Sequence, residues 1–327
     1  WFVSHYWLAV IFSLIVSCWM IQRQIIHINP NLSKTQISYK DMGYQLISHS
    51  FPLTFSLVLG ILKKRLDIII LAIYLSLSEL SYYTVAISLS AMMTTFIFAQ
   101  NSILMPMASE IYGSGGDSKL TDLYKFSARC SLTLTIPMLF GVAFFAKPLV
   151  YVIFGSAYAP ASTAFVIVAL GRFVNASTGS FGEYFQAYGK TSFVFYVSII
   201  LTSRHLGLIL FLVPRFGVMG AAWAYTISMT LTCLFGVSML FLFNKVHPFG
   251  NEYFYTLVSA LPFVIMFAIY IILNSHVSFV KTALGYTLSL LLYFLIIWHT
   301  PATSIRDREI LRKIVNKIFN RKHLLSI

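Results

Sequence analysis

Charge is scarce in this sequence. Only 10% of its 327 residues are Asp, Glu, Lys or Arg, while 58% are hydrophobic; soluble domains carry about 25% charged residues. Too little polar surface remains to cover a soluble domain, so that class is excluded. Acids are scarcer still, ten against 23 Lys and Arg, for a net charge of +13. Cysteine is nearly absent. Cys18, Cys130 and Cys233 lie far apart, with no CxxC, which excludes a disulfide framework and leaves them as small core residues. Catalytic signatures are lacking too. The chain has no HExxH, no GxSxG and no P-loop. The Gly-rich "GSGGDSK" lacks the GK[ST] ending of a phosphate loop and reads as a turn. Eight histidines are scattered without metal-ligand spacing. No catalytic residue, metal site or cofactor is therefore assigned.

What is present is a series of apolar runs. A spanning helix needs about 20 mostly apolar residues. Nine segments qualify, at roughly 2–22, 46–75, 82–105, 127–146, 159–180, 191–213, 218–243, 253–273 and 280–299. Aromatics make up 16%, as suits many membrane-interface positions. Most links are short and rich in Gly, Pro, Asn and Ser. Two are long, 22–43 and 109–125. Trp1 opens directly on an apolar run, with no basic region or cleavage site before it, so a signal peptide is not expected and the chain is expected to be a fragment.

Nine spans alternate sides, so one link fixes the rest. With 22–43 inside, fifteen Lys and Arg fall on the cytoplasmic side and three (Lys147, Arg215, Lys281) outside, and five lie within spans. The positive-inside rule prefers this orientation and a cytoplasmic C-terminus. Much of the positive charge thus reports topology, and no nucleic-acid partner is implied. The tail 301–327 reads as a basic amphipathic helix on anionic lipid, with Leu311, Ile314, Val315, Ile318 and Phe319 on its apolar stripe.

The five basics within spans need another reason. A charge at bilayer depth costs about 2.5–3.5 kcal/mol and faces a bundle interior or a wet cavity. In "GILKKRLDIIIL", Lys63, Lys64 and Arg65 point about 100° apart and cannot share one face. Lys63 and Asp67 stand at i,i+4 and can pair. Two readings stay open: one or two of these basics line a cavity, Lys63 and Arg65 being the candidates, or the helix breaks and the charges sit at an interface. Gln100 and Asn101, before Pro106, either line a polar cavity or bridge helices. Arg172 and Asn175 share a face at i,i+3, in a segment that also carries Glu183 and Gln186, and Arg204 sits mid-span. Buried basics outnumbering acids suit an anionic ligand such as a phosphate.

The stretch "RLDIIILAIYLSLSELSYYTVAISLSAMMTTFIFAQNSILMPMASEIY" resembles the start of the second lobe of Wzx-type polysaccharide (O-antigen) flippases. "VIFGSAYAPASTAFVIVALGRFVNASTGSFGEYFQAYGKT" and "RFGVMGAAWAYTIS" resemble later segments of that family, and together they cover roughly 44–243. The resemblance implies an all-α, multi-span helical bundle of the MATE-like MOP superfamily. Span 1–22 would be the last helix of the first lobe, the rest of which would lie outside the chain. Residues 23–43 would form the cytoplasmic inter-lobe link, 44–243 a six-helix second lobe and 244–300 an extra helix pair. It implies a bacterial inner-membrane protein that moves undecaprenyl-pyrophosphate-linked oligosaccharide by alternating access. Partners would be that lipid-linked oligosaccharide, membrane lipids and the polysaccharide assembly machinery. Only Arg65 and Asp67 match the family pattern residue by residue. Two rivals remain. A MATE-type drug antiporter would want acids in its cavity, and a membrane polysaccharide polymerase would want a large outside loop.

Overall fold

The computed structural model describes residues 16, 39–188, 191–273 and 279–299. The expected first span and the C-terminal tail lie outside the described residues, apart from residue 16. Two compact units divide the chain, Trp1–Ser50 and Phe51–Ile327. Of the first, residues 39–50 form helix; all that follows concerns the second.

Every described element is helical: α1 Tyr39–Tyr74, α2 Leu77–Ser90, α3 Met92–Gly113, α4 Asp117–Phe154, α5 Ala161–Ser177, α6 Phe181–Ala187, α7 Thr191–Asn244, α8 Asn251–Leu273 and α9 Phe279–His299. With α7 taken as one, the described residues contain four helices long and apolar enough to cross a membrane, or five if the bent pair α2–α3 counts as one span. The expected count of nine is therefore not supported. The charges of α1 interrupt its apolar run, and the apolar part of α9, Lys281–Ile297, falls short of a full span.

The boundaries follow local chemistry. Ser76 caps α2, accepting from the Glu79 amide while Glu79 accepts from the Ser76 amide at 2.9 Å, a reciprocal capping box. The 41° bend between α2 and α3 falls at Ala91. Thr94 and Thr95 hydroxyls both donate to the Ala91 carbonyl there, the back-bonding that bends helices. "GSGGDSK" closes α3 as a Schellman motif. Gly116 N–H donates to Ile111 O and Gly115 N–H to Tyr112 O, with Gly115 at φ +72°, a conformation that suits glycine.

Helix α7 is two helices. Arg204 Nη2 lies 2.7 Å from Ser228 O, although 24 residues of straight helix would separate them by about 36 Å. The chain reverses at Pro214–Gly217, where Gly217 takes φ 55°, ψ −134°. The two arms correspond to the expected segments 191–213 and 218–243. The second arm enters the core through small residues: Ala221, Ala222 and Ala224 are fully buried. Gly171 of α5 crosses it so closely that a Cβ there would stand 2.9 Å from Thr226 Cα, the close approach that small residues permit between membrane helices. Helices α8 and α9 pack on α4 through Phe263, Phe267, Tyr286 and Tyr293. Arg129 of α4 pairs with Glu252 of α8 at 3.3 Å.

Candidate functional site

The charged run of α1 lies in unbroken helix, so the expected alternative of a break is not realised. Residues 63 and 67 lie about 40° apart around the axis, whereas residue 65 lies about 200° from 63. Lys63 and Asp67 are accordingly partly buried, while Lys64 and Arg65 are exposed. Arg65, a candidate cavity residue, stands apart from the face carrying Lys63 and Asp67.

On that face Asp67 Oδ2 meets His205 Nε2 of α7 at 3.0 Å. Lys63 is within coulombic reach of Asp67, Arg204 and Arg172. Arg204 donates to Ser228 O and to Thr232 Oγ1 at 2.6 Å, which ties the two arms of α7 together. The Arg172 guanidinium of α5 lies over the Tyr225 ring, 5.0 Å from its centre, a cation–π contact. Tyr225 in turn sets its ring edge-on to His205. Four helices thus converge on one polar knot: α1, α2 through the buried Tyr83 hydroxyl, α5 and α7. Asp67 Oδ1, Arg172 Nε, Arg204 Nε and His205 Nδ1 are buried with no hydrogen-bond partner. Such orphaned atoms are rare in native interiors and each asks for an explanation.

Arg172 also reaches a second feature, a cavity of about 260 Å³ lined by Asn101, Arg172, Asn175, Ser180 and Glu183, with Phe98 and Met229 among its apolar walls. Its polar groups are prearranged. Ser180 Oγ donates to Asn101 Oδ1 at 2.5 Å, and Asn101 Nδ2 donates to Glu183 Oε1 at 2.7 Å. Asn175 turns its amide toward the buried Cys233 thiol at 3.7 Å. Three sequence candidates, Asn101, Arg172 and Asn175, therefore share one cavity. Lys63, Asp67 and Arg204 gather in the adjoining knot. Gln100 does neither. It donates to Ser127 O at 2.8 Å and accepts from Ser131 Oγ at 2.9 Å, bridging α3 to α4. Sequence reasoning overlooked His205, dismissed among scattered histidines, although it adjoins Arg204 in an otherwise apolar arm. It also overlooked Ser180 and Tyr225, whose residue types carry no signal of their own. Among the described residues, no three His, Cys, Asp or Glu side chains converge as metal ligands would.

Long apolar helices around a polar, basic interior define a multi-pass helical membrane protein. Residues 2–163 match the family described as "Polysaccharide biosynthesis protein". The chain is 25% identical to the "Probable low-salt glycan biosynthesis flippase Agl15" of Haloferax volcanii, over 60% of this chain and 43% of that protein. It is 22% identical to the "Uncharacterized membrane protein MJ1068" of Methanocaldococcus jannaschii, over 76% of this chain and 49% of that one. The chain thus spans less than half the length of either relative. These matches agree with the resemblance read from the sequence: the chain is similar to a polysaccharide-biosynthesis family over residues 2–163 and to a probable glycan flippase over 60% of its length.

Proposed function

We propose that the chain works in a flippase that carries a lipid-linked oligosaccharide across the membrane by alternating access, and that the cavity around Arg172 receives its pyrophosphate or an acidic sugar. The observation that carries this is the buried, unpartnered Nε of Arg172, in a guanidinium that borders a cavity whose other polar groups are amides, hydroxyls and a carboxylate. Guanidinium forks suit phosphate oxygens, and amides and hydroxyls suit sugar hydroxyls. Lys63 and Arg204 add positive potential beside it. The polyprenyl tail would stay in the bilayer, against the apolar surface that the helices expose. This reading takes a cytoplasmic membrane for the protein, with its C-terminus inside, and the glycan assembly machinery as its partner.

One observation favours a second reading. Glu183 lines the same cavity, and a carboxylate there would suit a cationic drug or metabolite exchanged by a MATE-type antiporter. The test is replacement of Arg172 by Ala in the full-length protein. The first reading expects surface glycan to fall at least tenfold while the variant still reaches the membrane. Normal glycan together with lost efflux of cationic dyes would transfer the assignment to the antiporter.

A further inference from the structure

We infer that Asp67 and His205 form a proton-binding site whose occupancy is linked to anion binding in the Arg172 cavity. The inference rests on the functional reading above and assigns its regulation. The pair bridges α1 and the first arm of α7 at 3.0 Å, with the His205 side chain 1% exposed and that of Asp67 15%. A buried ionisable pair in the interior of an apolar helical bundle is costly and marks a candidate functional site. Neither charge state of this one is fully satisfied. With Nε2–H donating to the carboxylate, Asp67 Oδ1 still has no donor, and once imidazolium forms, its Nδ1–H has no acceptor. The site therefore holds neither state firmly, and uptake of one proton turns the imidazole into imidazolium. The charge of the pair changes from −1 to 0 in that step, with no other bond made or broken.

The neighbours decide what the proton does. Lys63 faces the pair from α1, the Tyr83 hydroxyl from α2, and Arg204 and Tyr225 from α7, while Arg172 of α5 reaches it through Tyr225, whose ring touches both Arg172 and His205. Lys63 and Arg204 press on one carboxylate and its imidazole, and Arg172 adds its charge one ring further away. An anion entering beside Arg172 offsets their field, which favours the imidazolium and draws a proton in. By linkage, the proton must tighten the anion by the same factor.

The experiment is calorimetry of inorganic pyrophosphate binding to the detergent-solubilised full-length protein, in two buffers of different ionisation enthalpy. Comparing buffers counts the protons taken up per anion bound. His205→Gln keeps an N–H donor toward Asp67 and removes the titrating imidazole. Proton exchange by pyrophosphate itself is common to both proteins and cancels. The expected result is up to one additional proton taken up by the wild type. Wild-type affinity should also weaken up to about tenfold per pH unit across the titration of the pair, with that component absent in H205Q. Equal proton uptake in both proteins, with binding intact, would overturn this inference alone. No binding by the wild type would overturn the functional reading and this inference with it. Asp67→Asn supplies the same comparison should H205Q not fold.

Discussion

Tyr293 of α9 donates its hydroxyl to Thr133 O of α4 at 3.0 Å. That carbonyl lost its helical partner because Pro137, four residues on, has no N–H. The neighbouring Tyr286 hydroxyl donates to the Pro137 carbonyl itself. Helix α9 therefore repairs the proline site of α4 while packing the Tyr286 ring against Phe145. Tyr293→Phe keeps the ring and leaves the carbonyl bare. It should destabilise the protein by about 0.5–2 kcal/mol, read as a lower unfolding midpoint in detergent. A midpoint equal to wild type would show that another donor reaches Thr133.

The crossing of α5 and α7 should be equally specific. Gly171→Ala puts a methyl 2.9 Å from Thr226 Cα, against backbone that cannot rotate away. A cost of about 1–3 kcal/mol follows, and Gly171→Leu should abolish accumulation in the membrane. Accumulation of the leucine variant at wild-type level would mean that the two helices do not pack as described.

The reversal in α7 depends on Gly217. Its φ of 55° with ψ of −134° is a conformation that side-chain-bearing residues avoid. Gly217→Ala should cost about 1–3 kcal/mol, whereas Gly207→Ala, in helix with open space around it, should be neutral or slightly stabilising. Thermal unfolding of the two variants side by side tests this, and equal midpoints would contradict it.

Glu183 and Arg172 line one cavity with opposite charge, so their variants should act oppositely on an anion. Glu183→Gln keeps an oxygen to accept from Asn101 Nδ2 and removes the negative charge. Pyrophosphate binding should tighten about threefold to tenfold in E183Q and weaken at least tenfold in Arg172→Ala. The reverse pattern, with cationic dyes lost in E183Q, would support the antiporter.

Much of this was legible in the sequence, for physical reasons. The lipid environment imposed its signature on composition, so an all-helical membrane protein followed directly. Helical geometry alone paired Lys63 with Asp67, but Arg65 was kept as a second cavity candidate and stands exposed on another face. The span count was less legible, because hydropathy cannot tell where charges disqualify a helix, as in α1, or where an apolar helix falls short, as in α9. The role of Gln100 was left between cavity and bridge, and only the distances to Ser127 and Ser131 show the bridge. His205 was not legible at all. Its partner Asp67 lies 138 residues away, and nothing local distinguishes a paired histidine from an idle one.

The central claim is that Arg172 and its cavity hold the anionic end of a lipid-linked glycan during transport. The most direct measurement is a flipping assay in proteoliposomes, with the full-length protein and a short-chain polyprenyl-pyrophosphate oligosaccharide bearing a fluorescent sugar. Wild type should move the probe until it is protected from an added quencher. Arg172→Ala should slow that movement at least tenfold, and Arg172→Lys should slow it less. An unchanged rate in Arg172→Ala would contradict the account and place the anion elsewhere.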